Sequence, residues 1–157
     1  MTETRHGNAL TATLTGVLDQ LRARHDIGAL EPAVHFEGET VLVTGANSGL
    51  GRGIARDLAL RRASRVILAC RSGIPQTAEE LERETKNPNL EMRHVDLADF
   101  ASIEALVQGL KRDGIVLDRV FFNAGVVSSG GAQTREGFEL MFGVNFIANA
   151  LLTLRLL

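Results

Sequence analysis

Thr44-Gly45-Ala46-Asn47-Ser48-Gly49-Leu50-Gly51 is the stretch of this chain whose residue types and spacing point most directly to chemistry. It lies between a β-branched run and an amphipathic one. Gly45 permits a tight turn out of a strand, Gly49 lets backbone approach an anion with no Cβ in the way, and Gly51 lets a helix pack closely on the strand. Free N–H groups at the start of that helix face a negative ligand, and a pyrophosphate fits them. Thr44, Gly45, Asn47, Ser48, Gly49, Leu50 and Gly51 are therefore candidate cofactor contacts. The spacing is not that of the nucleoside triphosphate loop, which needs a lysine that is absent here. An ordinary glycine-rich turn has the same composition, but the position between strand and helix favours dinucleotide binding.

A second test lies about 20 residues further on, where a side chain at the end of the next strand meets the adenosine ribose. Counting from Gly51 leads to Arg71 in Ala69-Cys70-Arg71-Ser72. A carboxylate there accepts hydrogen bonds from the 2′-hydroxyl of NAD, whereas a guanidinium pairs with a 2′-phosphate. Arg71 and Ser72 thus favour NADP over NAD. Arg52, Arg56, Arg61, Arg62 and Arg65 crowd the same stretch against one acid, Asp57, and either raise the local potential or form a solvated face; the second reading is preferred for Arg56 and Arg61. Asp96, at a third strand's carboxyl end, sits where such sheets bind ligands.

The elements that must position these residues follow from the patterning. Thr40 to Thr44, Arg65 to Cys70, Leu90 to Val95 and Leu117 to Phe122 read as strands. Gly51 to Arg62, Pro75 to about Lys86, Asp99 to Arg112 and about Thr134 to the end read as helices, with Pro75 at a first helical position, Asn87-Pro88 as a stop and Asp99 as a cap. Strand alternating with helix implies a doubly wound, Rossmann-type α/β fold, a parallel sheet expected in the order 3-2-1-4. Residues 39–157 form the NAD(P)-binding domain, incomplete as it stands, and residues 1–38 a helical extension. In that extension Leu10, Leu14, Val17, Leu18 and Leu21 make one apolar face over residues 8 to 25. Both charge signs on its polar face and the lack of aromatic anchors favour a helix packed on protein over one lying on a membrane. From Leu140 to Leu157 the last helix is apolar nearly all round, and the chain stops within that run. The expectation is a cut sequence or part of a larger unit, with an unpaired fourth strand and exposed apolar surface.

Composition narrows the classes. The 157 residues are 45% apolar and 23% charged, with 17 basic against 19 acidic side chains, which describes one soluble globular domain. A chain of this length buries about 70% of its unfolded surface, enough for a core without disulfides or a structural metal. The near-balanced charge argues against nucleic acid, and no run of 18 apolar residues suggests a membrane span. The start lacks the pattern of a secretory signal, so a reducing, cytoplasmic location is expected. His6, His25, His35 and His94 show no metal-ligand spacing. Cys70 reads as a small buried hydrophobe. Ser128-Ser129-Gly130-Gly131 does not match the Gly-x-Ser-x-Gly elbow of hydrolases and reads as a loop over the cofactor site.

Taken together, the residues resemble the short-chain dehydrogenase/reductase family, and within it the retinol-dehydrogenase-type members. The Thr-Gly-x3-Gly-x-Gly turn matches that family's cofactor signature. The resemblance implies that Asp96-Leu97 contact the adenine ring and that Asn123-Ala124-Gly125 lie beside the cofactor. Glu136-Gly137-Phe138-Glu139 with Gly143-Val144-Asn145-Phe146 look like the helix whose asparagine, here Asn145, belongs to the catalytic tetrad. The match spans about residues 37 to 157 and keeps the motifs in order.

Two departures stand out. Phe122 replaces the first of the family's two asparagines. The family's serine and Tyr-x3-Lys pair should follow Asn145, yet the chain has no tyrosine, and its lysines, Lys86 and Lys111, lie upstream. In the family the tyrosine passes a proton to the carbonyl oxygen as hydride arrives, the lysine lowers the phenol's pKa, the serine orients substrate and the asparagine helps hold a relay water. Acid–base catalysis of this kind is worth about 10² to 10⁴-fold. The expected function is thus the NADP-binding portion of an oxidoreductase acting on small alcohols or carbonyls, poorly active alone. The alternative is a non-catalytic NADP-binding or interaction module, completed by another chain. A second copy of this chain is a further candidate partner.

Overall fold

The computed structural model describes residues 33–157, together with Thr15 and Leu18, which are helical. The chain divides into two units, Met1–Val34 and His35–Leu157; the second carries the sheet. The amphipathic helix expected over residues 8 to 25 lies, those two positions apart, outside the described residues.

Strand β1 is Thr40–Thr44, β2 Arg65–Cys70, β3 Leu90–His94 and β4 Arg119–Phe121. They form one parallel sheet in the order β3-β2-β1-β4, as the alternation of elements implies. Helix α1 is Gly49–Leu60, α2 Gln76–Thr85 and α3 Phe100–Arg112. The last helix begins as α4, Leu140–Phe142, passes through a π-helical turn at Gly143–Ile147 and ends as α5, Ala148–Leu156.

Successive strand residues point to opposite faces, so β1 and β2 feed two cores. Leu42, Ile67 and Ala69 pack with Ile103, Val107 and Leu110 of α3 and with Val144, Ala148 and Leu152 of the last helix. Val41, Val43, Val66 and Leu68 pack on the other face with Ala55 and Leu58 of α1 and Leu81 of α2. Each of these strand residues is fully buried. Burial on both faces explains why the runs are continuously apolar rather than alternating.

Three elements differ from the patterning. Helix α1 starts and ends two residues before the expected Gly51 to Arg62, Arg62 having φ of +63°. Strand β4 is shorter than Leu117 to Phe122 because side-chain oxygens replace ladder carbonyls at both ends. Asp118 Oδ2 accepts the Thr40 N–H at 2.7 Å, and Thr44 Oγ1 accepts the Asn123 N–H at 3.1 Å. The last helix starts at Leu140 rather than near Thr134, since residues 134–138 form a turn closed by Thr134 N–H to Phe138 O at 2.9 Å. Gly137 there has φ of +85°, outside the right-handed helical region. Glu139 then caps α4, its carboxylate accepting the N–H groups of Met141 and Phe142 at 2.9 and 2.8 Å. The last helix is also less enclosed than an all-apolar helix implies: Phe142 and Phe146, stacked with ring centroids 5.5 Å apart, and Leu154 are exposed. Among the described residues, no helix is long and apolar enough to cross a membrane.

Candidate functional site

Between β2 and β4, strand β1 marks the point where chain connections leave in opposite directions, and a crevice outside the strands' carboxyl ends is the usual ligand position of such sheets. A cleft of about 330 Å³ opens there. Its walls include Gly45, Asn47, Ser48, Arg71, Ser72, Asp96, Leu97, Asn123, Ala124 and Gly125, all expected from the sequence.

The turn after β1 is fixed by its neighbours. Thr44, fully buried, accepts at Oγ1 the N–H groups of Asn123 and Ala124, each at 3.1 Å, and Asn123 Nδ2 donates back to Thr44 O at 3.1 Å. Gly45 N–H donates to Ala69 O at 2.9 Å. A Cβ on Gly45 would sit 3.0 Å from Ala124, and one on Gly51 would collide with the Asn123 amide and the Gly45 carbonyl. Gly51 is buried beneath the turn, and Gly49, by contrast, faces open space where its Cβ would be. Gly51 thus serves packing, as expected, while the backbone at Gly49 is left uncovered. Leu50, on the first turn of α1, is 75% exposed and lies outside the cleft wall.

At the carboxyl end of β2, Arg71 carries an exposed side chain. Its one ion-pair partner among the described residues is Asp96, whose Oδ2 lies 3.9 Å away. The other arginines of this stretch are engaged elsewhere: Arg52 with Glu80 and Glu84, Arg56 with Glu84, Arg61 with Asp57, Arg62 with Glu37 and Arg65 with Glu91. The crowd of basic residues is therefore balanced by carboxylates, one on the same helix, Asp57, and the rest elsewhere in the sequence. Asp96 is held by its own turn, with Oδ1 accepting Ala98 N–H at 2.9 Å and its N–H donating to Ser102 Oγ at 2.9 Å. That loop is braced from outside, where Glu136 accepts the Phe100 N–H at 2.8 Å and Arg135 N–H donates to Ala98 O at 2.9 Å.

Asn145 does not line the cleft. Its amide is taken up by one backbone residue, Oδ1 accepting from Val126 N–H at 2.8 Å and Nδ2 donating to Val126 O at 2.9 Å, so it fixes the segment that follows Gly125. Phe122 is 40% exposed. Cys70 and Val95 also line the cleft, and burial pushes the Cys70 thiol up, against smaller opposing hydrogen bonds from the Ala46 and Asn47 backbones. Leu140 and Val144 supply an apolar wall that sequence reasoning missed; their spacing of four on the helix that bears Asn145 was the available signal. Among the described residues no group of His, Cys, Asp and Glu is arranged to hold a metal.

Fold and cleft together define a Rossmann-type α/β protein. The chain belongs to the short-chain dehydrogenase family, whose profile matches residues 39–157. It is 39% identical over 132 residues to retinol dehydrogenase 12 of Mus musculus, covering 83% of this chain and 42% of that protein. It is likewise 39% identical over 128 residues to human retinol dehydrogenase 13, covering 80% and 38%. The chain thus spans less than half the length of these relatives. Among solved structures, an NADPH-bound carbonyl reductase from chicken fatty liver aligns with TM-score 0.60 and 31% identity over 76% of this chain and 50% of that one. A short-chain dehydrogenase from Sphingobium yanoikuyae in complex with NADPH aligns with TM-score 0.62 and 31% identity over 75% and 46%.

Proposed function

We propose that this chain is the NADP(H)-binding portion of a short-chain oxidoreductase that acts on alcohol or carbonyl groups. The observation that carries the reading is Arg71, a guanidinium at the ribose end of the cleft whose nearest carboxylate among the described residues is Asp96, at 3.9 Å. At that position a 2′-phosphate gains an ion pair and bidentate hydrogen bonds that a neutral 2′-hydroxyl does not offer. The residues fit the cofactor, because the open space over Gly49 admits a pyrophosphate against the first turn of α1. Asp96 and Leu97 flank the adenine end, and Asn123 to Gly125 line the opposite end. The names of the NADPH-bound neighbours support the same cofactor.

When bound, the nicotinamide supplies or accepts the hydride. The residues of this chain bind and orient: Arg71 and Ser72 select the phosphate, Leu140 and Val144 exclude water along one wall, and Asn145 holds the backbone at Val126. No tyrosine is present to hand a proton to a carbonyl oxygen, so binding rather than turnover is the property to measure. Titration of NADPH and NADH against the wild type and Arg71→Asp, followed by nicotinamide fluorescence, tests the reading. NADPH should bind more tightly to the wild type and lose that advantage in the variant; equal wild-type affinities would remove the preference.

A second reading, a non-catalytic module completed by another chain, is favoured by one observation. Among the described residues strand β4 has a neighbour on one side only and leaves that edge beside a last helix on which Phe142, Phe146 and Leu154 are exposed. Sedimentation of the purified chain across a concentration range separates self-association from a monomer.

A further inference from the structure

We propose that Asn47 is a positioning residue for the 2′-phosphate of the cofactor, acting through the hydroxyl of Ser72. The inference rests on the NADP(H) reading above and extends it to a residue on the other side of the cleft. Asn47 belongs to the glycine turn after β1, and Ser72 to the loop after β2. Asn47 Nδ2 donates to Ser72 Oγ at 3.2 Å. A hydroxyl that accepts on one lone pair keeps its own hydrogen for another acceptor, so the contact turns Ser72 into an oriented donor. Its neighbour in sequence, Arg71, lines the same cleft. A guanidinium and a directed hydroxyl side by side suit a phosphomonoester dianion, which offers three acceptor oxygens.

The loop reaches Asn47 only because of residue 73. Gly73 has φ of +78°, and a Cβ there would lie 2.8 Å from Thr77 Oγ1 and 3.3 Å from Asn47 Cβ. Thr77, buried at the start of α2, donates its N–H to Gly73 O at 3.0 Å. The Arg71-Ser72-Gly73 segment is thus held from one side by α2 and from the other by Asn47. The glycine turn, which meets the part of the cofactor common to NADP and NAD, thereby also sets the group that tells them apart.

The test is calorimetric titration of the 157-residue chain with NADPH, NADH, 2′,5′-ADP and 5′-ADP. Wild type, Asn47→Ala, Ser72→Ala, the double variant and Ser72→Thr are compared. Asn47→Ala should lower the NADPH-over-NADH and the 2′,5′-ADP-over-5′-ADP preference about tenfold, the worth of one charge-assisted hydrogen bond. Ser72→Ala should do the same, the double variant should fall no further, and Ser72→Thr should retain the preference. Equal weakening of both cofactors by Asn47→Ala, or full additivity in the double variant, overturns the inference while leaving NADP(H) binding intact. Failure of the wild type to bind any of the four overturns the NADP(H) reading and the inference with it. Ser72 is exposed, so its variants decide the matter even if Asn47→Ala does not fold.

Discussion

Thr44 and Asn123 exchange hydrogen bonds across 79 positions of sequence, the threonine hydroxyl accepting the Asn123 N–H at 3.1 Å and the Asn123 amide returning to the Thr44 carbonyl at 3.1 Å. The pair latches the carboxyl ends of β1 and β4 together at the floor of the cleft. The same hydroxyl accepts the Ala124 N–H at 3.1 Å, while the Asn123 N–H is shared with Phe121 O, also at 3.1 Å. Thr44→Val keeps the shape and removes that acceptor. One part-buried N–H group, that of Ala124, left without a partner should cost about 1–3 kcal/mol, read as a lowered urea midpoint. Thr44→Ser, which keeps the oxygen, should lose about 1 kcal/mol; equal losses in the two variants would contradict the latch.

Two glycines a single residue apart should respond with opposite signs. Gly51→Ala drives a methyl into the Asn123 amide and the Gly45 carbonyl, and backbone there can yield only by opening the turn. A loss of about 1–3 kcal/mol, with weakened NADPH binding, is expected. Gly53 has no atom within 4 Å of its would-be Cβ and lies within α1, so Gly53→Ala should stabilise by about 0.4–1 kcal/mol. Thermal melts of the two variants check both signs.

Acid should loosen the start of the last helix. The N–H groups of Met141, first, and Phe142 hold the Glu139 carboxyl below its ordinary value of 4.5. A carboxylate with a lowered folded pKa contributes stability that is present above its unfolded pKa and lost as pH falls through the folded one. Glu39 and Glu84, held down mainly by hydrogen bonds from Arg119 and Arg56, act with the same sign. The urea midpoint should therefore fall below about pH 4.5, and Glu139→Gln should flatten that fall. An unchanged slope in the variant would show that the cap carries none of it.

The sequence by itself determined β1 and β2 to the residue, β3 to within one residue, the strand order and the turn that opens α1. These depend on short-range physics: a β-branched run has one extended conformation that buries it, and Gly45 and Gly49 take the positive φ values, +68° and +54°, that the tight turn requires. Arg71 was legible for a related reason, since the distance from turn to strand end is fixed by one helix and one strand. The tertiary structure alone decided which carboxylates engage Arg52, Arg56 and Arg65, why β4 stops at Phe121, that Leu140 and Val144 wall the cleft, and that Asn47 reaches Ser72. Each of those contacts joins residues separated by 25 or more positions or depends on how a helix rolls against the sheet. Such geometry comes from register and packing between elements, and the local pattern of apolar and polar residues does not encode it.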